Sequence, residues 1–199
     1  MLNVKPIFFH ILMVYSLLTG CANFAYSDST FLTEEIKQFQ LGDLKKLIIN
    51  RIATPVSLLE FIDVDNKTID INLDDGNFRV INFWALWCAP CRREMGSLNE
   101  LKNHIEAENF EVIAVAAGRN NVAKIREFFI EGNLSNLKSL RDPTGKISNL
   151  LGVVGLPTTL LIAPNGFEIG RVIGDINWAS TESIKLFEFL LEKQKNLGI

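Results

Sequence analysis

The sequence predicts an α/β domain, a mixed central sheet flanked by helices. Three observations carry that expectation. Residues 78–83 and 110–117 are nearly unbroken apolar runs, the pattern of strands buried on both faces. Each run is followed by a stretch with helical spacing. Two further pairs of strand-like segments are joined by strong turn chemistry, Asp63-Val64-Asp65-Asn66-Lys67 and Pro164-Asn165-Gly166.

Taken in order, residues 57–62 and 68–73 flank the first of these turns and read as a β-hairpin, the second strand alternating cleanly. Asp74-Asp75-Gly76-Asn77 turns the chain into the buried strand 78–83. A helix over 88–104 follows, then the strand 110–117, ended by Gly118-Arg119-Asn120-Asn121, and a helix over 122–130. Residues 136–140 read as a short strand and Asp142-Pro143-Thr144-Gly145 as a turn before one or two helical turns at 147–151. The second hairpin pairs 158–163 with 167–173. A helix over 180–195, capped by Ser180 or Thr181, closes the chain. The sum is β-hairpin, βαβα, ββα, with helices on both faces of the sheet.

Ahead of this domain, residues 32–50 place Leu32, Ile36, Phe39, Leu44, Leu47 and Ile48 at spacings that suit an amphipathic helix, with Gly42 as its weak point. Its apolar face serves either packing on the domain or a partner. The organisation read from the sequence is residues 1–27 as export signal or anchor with tether, 28–54 as a helical extension, and 55–199 as the domain, opened by Pro55.

Composition narrows the function classes. The chain has 199 residues, 48% of them apolar, enough for one full core, and a formal charge of -3. Its lysines and arginines are scattered, so nucleic acid is not an expected partner. Three cysteines cannot staple a disulfide scaffold. Lys5 followed by the mostly apolar residues 7–18 reads as an export signal, shorter than the roughly 20 apolar residues of a comfortable membrane span. Leu18-Thr19-Gly20-Cys21 resembles the lipobox of bacterial lipoproteins, in which the cysteine is lipidated after cleavage. Ordinary cleavage after Ala22 or Ser27, and an uncleaved signal anchor helped by Phe24, Ala25 and Tyr26, are the other two readings. All three place the domain outside the cytoplasm.

The chemistry sits in Trp87-Cys88-Ala89-Pro90-Cys91, where a strand turns into a helix. A cysteine at a helix start meets unpaired N–H groups and the positive end of the dipole, which favour the thiolate. The second cysteine lies one turn along, within reach of the first. In such motifs the reactive thiol's pKa falls to roughly 3.5–7.5, from about 8.5 for a free thiol. Cys88 is therefore expected to attack and Cys91 to resolve. Glu94 lies one turn after Cys91, so it could point under the site rather than to solvent. A buried glutamate there would have a raised pKa and could move the Cys91 proton. The other reading is a solvated surface glutamate. Arg92 and Arg93 either favour the thiolate or lie solvated on the helix surface.

With these residues in view, the chain resembles the extracytoplasmic thioredoxin-like thiol–disulfide oxidoreductases of the TlpA, ResA and CcmG kind. The carrying residues are 82–95, from Asn82-Phe83-Trp84 through Cys88 and Cys91 to Glu94-Met95, and Gly155-Leu156-Pro157-Thr158-Thr159 before an apolar strand. Arg141-Asp142-Pro143-Thr144-Gly145-Lys146 and Gly174-Asp175-Ile176-Asn177-Trp178 add to it. The resemblance covers the chain from about Pro55 onward. It departs at Gly96, where the family commonly has a proline that kinks the helix. Asn82 stands where cytoplasmic thioredoxins bury an acid.

The resemblance implies a thioredoxin-like fold and a functional glutamate at Glu94. It implies a cis peptide bond before Pro157, which would face the disulfide and leave the backbone of Leu156 free for an extended client. Trp87, Ala89, Pro90, Leu156 and Pro157 are the expected client-binding residues, with Trp84 and Trp87 shielding the site and Trp178 packing near the last helix. The expected activity is reduction of protein disulfides in maturation of cytochrome c or of a respiratory oxidase copper centre, with no cofactor. Clients with cysteine pairs and a membrane thiol-transfer electron donor are the implied partners. A copper(I) chaperone is the alternative, since two thiolates suit that ion. It lacks an obvious third ligand, because the only histidines are His10, in the signal, and His104, at the far end of the motif helix. A non-catalytic assembly module is a further reading, opposed by the intact Cys88, Cys91 and Pro157.

Overall fold

A computed structural model describes residues 35–50 and 58–197. Cys21, the export segment and Pro55 lie outside the described residues. The sheet has eight strands in the order β1-β8-β7-β4-β5-β6-β2-β3. They are β1 (Leu47–Ile49), β2 (Leu58–Asp63), β3 (Thr68–Asn72), β4 (Phe78–Trp84), β5 (Phe110–Ala117), β6 (Lys138–Asp142), β7 (Thr158–Ile162) and β8 (Glu168–Ile173). The helices are α1 (Ala89–His104), α2 (Val122–Glu131), α3 (Lys146–Leu150) and α4 (Thr181–Leu197). Strands β4, β5 and β6 run parallel, as their helical crossovers require. The remaining pairings are antiparallel, including β2 with β3 and β7 with β8. The mixed sheet with flanking helices is the architecture expected, and it is a thioredoxin-like one.

Alternation along the central strands divides the core. In β4, Phe78, Val80 and Trp84 join one apolar cluster, with Cys91, Leu98 and Leu101 of α1, Ile125 of α2 and Leu186 and Leu190 of α4. Ile81 and Phe83 point the other way, to Ile147, Leu151, Leu59 and Phe61. Every residue of β4 is buried, which is why it carries no polar alternation. Asn82 shares the parity of Val80 and Trp84, so it faces α1.

The N-terminal segment differs from the expected amphipathic helix. Its described part is two short 3-10 turns, Ile36–Phe39 and Gly42–Lys46, and the edge strand β1. Gly42 adopts φ +52, a left-handed conformation that ends helical continuation. The Leu47-Ile48-Ile49 run finds a strand edge instead, pairing with Val172, Arg171 and Gly170 of β8. Gly170 permits the approach, because a Cβ there would lie 2.9 Å from the Ile48 carbonyl oxygen. Ile36, Leu44 and Leu47 are fully buried, so the apolar spacing does serve packing. Helix α1 runs without interruption through Gly96.

Candidate active site

Strand β4 ends in a turn closed by Cys88 N–H donating to the Ala85 carbonyl at 3.1 Å. Asn120 braces this turn, accepting from Leu86 N–H at 2.9 Å while donating to the Ala117 carbonyl. Cys88 is the N-cap of α1, with Pro90 in the first turn, where its missing N–H costs nothing. Cys88 and Cys91 form a disulfide with Cα atoms 5.3 Å apart, and Cys88 Sγ accepts from Cys91 N–H at 3.3 Å. Cys88 is 5% exposed and Cys91 fully buried. Trp87 stands out at 72% exposed. Ala89 is exposed and lines a shallow cavity of about 310 Å³ with Arg92 and Phe128. The Arg92 guanidinium lies 5.6 Å above the Phe128 ring.

Pro157 is buried and follows a cis peptide bond from Leu156, as the resemblance implies. The loop is braced by Thr158 Oγ1 donating to the Gly155 carbonyl at 2.7 Å and by Gly174 N–H donating to the Pro157 carbonyl at 2.8 Å. Leu156 is half-buried and belongs to no strand.

Glu94 is not a surface residue; it is 2% exposed. It sits on the inward stripe of α1 with Cys91, Met95, Leu98 and Leu101. Three donors meet it. Asn82 Nδ2–H reaches Oε1 at 2.8 Å, while Trp178 Nε1–H and Ile176 N–H reach Oε2 at 3.1 and 3.4 Å. Asn82 also donates to Thr159 Oγ1 at 2.8 Å, its register partner on β7. Burial outweighs the three donors and pushes the carboxyl up to about 7, with the nearby Asp175 charge adding to the rise.

One aromatic assignment changes and a second, borne out, gains a further role. Trp84 is wholly buried, packed on Phe128 and Phe129 at 5.3 and 5.9 Å, and shields no surface. Trp178 is buried too, but beyond packing it supplies a hydrogen bond to Glu94, a contact the sequence reading missed. A signal was present: a buried carboxyl needs donors, and Trp178 lies in the last of the motif segments. Arg93 pairs with Asp175 at 2.9 Å on the exposed face. Among the described residues no group of three or more His, Cys, Asp or Glu gathers to hold a metal ion.

A redox-type cysteine pair at a helix start, a cis-proline loop and a thioredoxin-like sheet define a thiol–disulfide oxidoreductase. The chain belongs to the AhpC/TSA family, whose model matches residues 49–167, more than half of it. It is similar to the thiol-disulfide oxidoreductase ResA of Bacillus cereus (strain ATCC 10987 / NRS 248), 28% identical over 163 residues, 82% of this chain and 86% of that protein. The ResA of Geobacillus kaustophilus (strain HTA426) is 34% identical over 124 residues, 61% of this chain and 70% of its own length. Among solved structures, the exposed lipoprotein thioredoxin of Streptococcus pneumoniae strain TIGR4 shares the fold. Its TM-score is 0.53 at 24% identity, covering 68% of this chain and 99% of that one.

Proposed function

We propose that this oxidoreductase works outside the cytoplasm as a reductase of protein disulfides, in maturation of cytochrome c or of a respiratory oxidase copper centre. The observation that supports the exchange chemistry is Glu94, a buried carboxyl pushed up to about 7 one helical turn from Cys91, while the reductive direction is taken by analogy with the ResA group. In the reduced enzyme the Cys88 thiolate attacks one sulfur of a client disulfide. A mixed disulfide forms and the client's other sulfur leaves as thiolate. Glu94, ionised, takes the Cys91 proton. The Cys91 thiolate then attacks Cys88 Sγ, closing the enzyme disulfide and expelling the client's second sulfur. Two electrons pass to the client, whose two thiolates take one proton from Glu94 and one from water, so that it leaves as a dithiol. A membrane thiol-transfer protein restores the enzyme dithiol by the same exchange in reverse.

The client lies as an extended segment against the Leu156 backbone and Pro157, with Trp87, Ala89 and Pro90 on the other side of the disulfide. The domain is tethered to the membrane through lipidated Cys21. The Leu18-Thr19-Gly20-Cys21 sequence supports this, and so does the similar pneumococcal protein, itself called a lipoprotein. No helix among the described residues is long and apolar enough to cross a membrane.

The test is a mixed-disulfide trap. Cys91→Ala is expected to hold clients through Cys88, and the captured proteins should carry haem-attachment or copper-site cysteine pairs. Capture that persists when Cys88 is also replaced would refute the assignment of the attacking thiol. For the tether, Cys21→Ser is expected to abolish metabolic fatty-acid labelling; labelling that survives excludes lipidation there.

A further inference from the structure

The loop 174–178 lies between the active-site helix and the N-terminal segment. On its inner side, Ile176 N–H and Trp178 Nε1–H meet Glu94 Oε2, and Trp178 N–H donates to Ser97 Oγ at 3.1 Å. On its outer side, Asn177 N–H donates to Asp43 Oδ2 at 3.0 Å and the Asp175 carbonyl accepts from Lys46 Nζ at 2.8 Å. Asp43 and Lys46 both belong to the 3-10 turn Gly42–Lys46. That turn is fixed by Leu44 and Leu47, buried in the same cluster as Trp178, Cys91 and Met95. The loop enters through Gly174 at φ +90, and its Asp175 carboxylate is held from α1 by Arg93.

We propose that Asp43 and Lys46 are positioning residues for Glu94. They hold the backbone at 175–177 from outside, and so fix the two donors that meet the carboxyl from inside. The proposal rests on the reading of Glu94 as the proton-handling group. The physical reason is preorganisation. Donors aimed at a charge favour it only if the backbone that carries them is held in place before the charge appears. The Ile176 contact, at 3.4 Å, is the longest of the three and the first to fail if the loop relaxes. The segment also shapes the solvent side of the site. Asp43, Arg93, Glu94 and Asp175 share the wall of a cavity of about 270 Å³.

The groups facing Glu94 set the controls. Arg93 on α1 and Asp175 on the loop are paired; Asp43 comes from the N-terminal turn, with Lys46 of the same turn on the outer side of the loop; Asn82 and Thr159 from the sheet are neutral; Cys88 and Cys91 titrate only when reduced. Removing the Asp43 charge alone favours ionised Glu94, whereas releasing the loop disfavours it, so the two effects have opposite sign.

The experiment follows the Glu94 side-chain carboxyl by carbon NMR across a pH titration of the oxidised full chain, with Glu94→Gln assigning the resonance. Asp43→Ala is expected to move the midpoint upward by about half a pH unit or more, roughly a threefold change in the ionised fraction ratio. Asp43→Asn, which keeps an acceptor oxygen, should leave it at or below the wild-type value. Lys46→Ala should move it upward and Lys46→Arg restore it. A midpoint that does not move in either alanine variant, or that falls in Asp43→Ala, overturns the proposal. The pH profile of disulfide reduction separates this from the reading beneath it. If Glu94→Gln leaves that profile unchanged while the alanine variants still shift the carboxyl, positioning stands and the proton role falls. If Glu94→Gln removes the limb but neither alanine variant moves the carboxyl, the proton role stands and positioning falls.

Discussion

Replacing Glu94 with glutamine should change how the oxidised protein's stability depends on pH. Burial raises the Glu94 carboxyl from 4.5 to about 7. At about 1.36 kcal/mol per pH unit, that difference corresponds to about 3 kcal/mol. The sign follows from proton uptake. Between 4.5 and about 7 the folded chain holds a proton on Glu94 that the unfolded chain has lost. Stability from this group is therefore fully present below the lower value and lost as pH rises through the upper one. Glutamine does not ionise. It adds only a constant offset, because its amide must turn N–H groups toward Asn82 or toward the Trp178 and Ile176 donors. In the oxidised state Cys88 and Cys91 do not titrate, and other groups cancel between the two proteins. Urea unfolding of oxidised wild type and Glu94→Gln at about pH 4 and about pH 8.5 reads the effect. The wild type should lose about 3 kcal/mol relative to the variant across that range. A difference that stays constant within about 1 kcal/mol would mean Glu94 titrates as an ordinary carboxylate, and the assignment would fail.

Trp178→Phe removes one donor to the ionised form. The Glu94 midpoint should rise further, and a destabilisation of about 1.5–3 kcal/mol should appear only above the midpoint, beyond a pH-independent packing loss; carboxyl NMR and urea melts at two pH values check both. Asn82→Asp would place a second carboxyl within hydrogen-bond reach of Glu94, where the amide contact is now 2.8 Å. The pair should then titrate in two macroscopic steps, the upper one well above neutrality, visible as a second limb in the pH profile of disulfide reduction. Gly170→Ala would set a Cβ 2.9 Å from the Ile48 carbonyl oxygen. Strand β1 should detach, raising hydrogen exchange at Leu47–Ile49 while β4 and β5 stay protected.

The elements legible in the sequence are those whose pattern is local. Strands β4 and β5 show as apolar runs because both their faces are covered, and α1 shows because a CxxC pair, a first-turn proline and an apolar stripe fall in one window. The N-terminal segment was not legible for the opposite reason. Spacings of three and four residues fit an α-helix and a pair of 3-10 turns almost equally. What decides between them is Gly42 at φ +52 and a bare stretch of β8 at Gly170, more than a hundred residues away. The site divides the same way. Cys88, Cys91 and Glu94 share one helix, and the burial of Glu94 was a reading that spacing permitted. Trp178 meets Glu94 across 84 residues of sequence, and no local period reports such a contact.

The balance at Glu94 explains why these distant segments matter. Three hydrogen bonds to a carboxylate would ordinarily pull its pKa well down. Here desolvation is the larger effect, and the net result is a value near neutrality. With fewer donors the carboxyl would stay protonated above neutrality and could not serve as the proton acceptor proposed for Cys91. With more water it would be an ordinary carboxylate, too weak a base to take a thiol proton readily. A carboxyl placed in the strand at Asn82 would face the same buried environment, but β4 alone supplies no donors from a loop. On α1 the carboxyl draws one donor from β4 and two from the loop 174–178, whose first residue also donates to the Pro157 carbonyl. The proton affinity of the Glu94 carboxyl and the bracing of the cis-proline loop thus both draw on the loop 174–178.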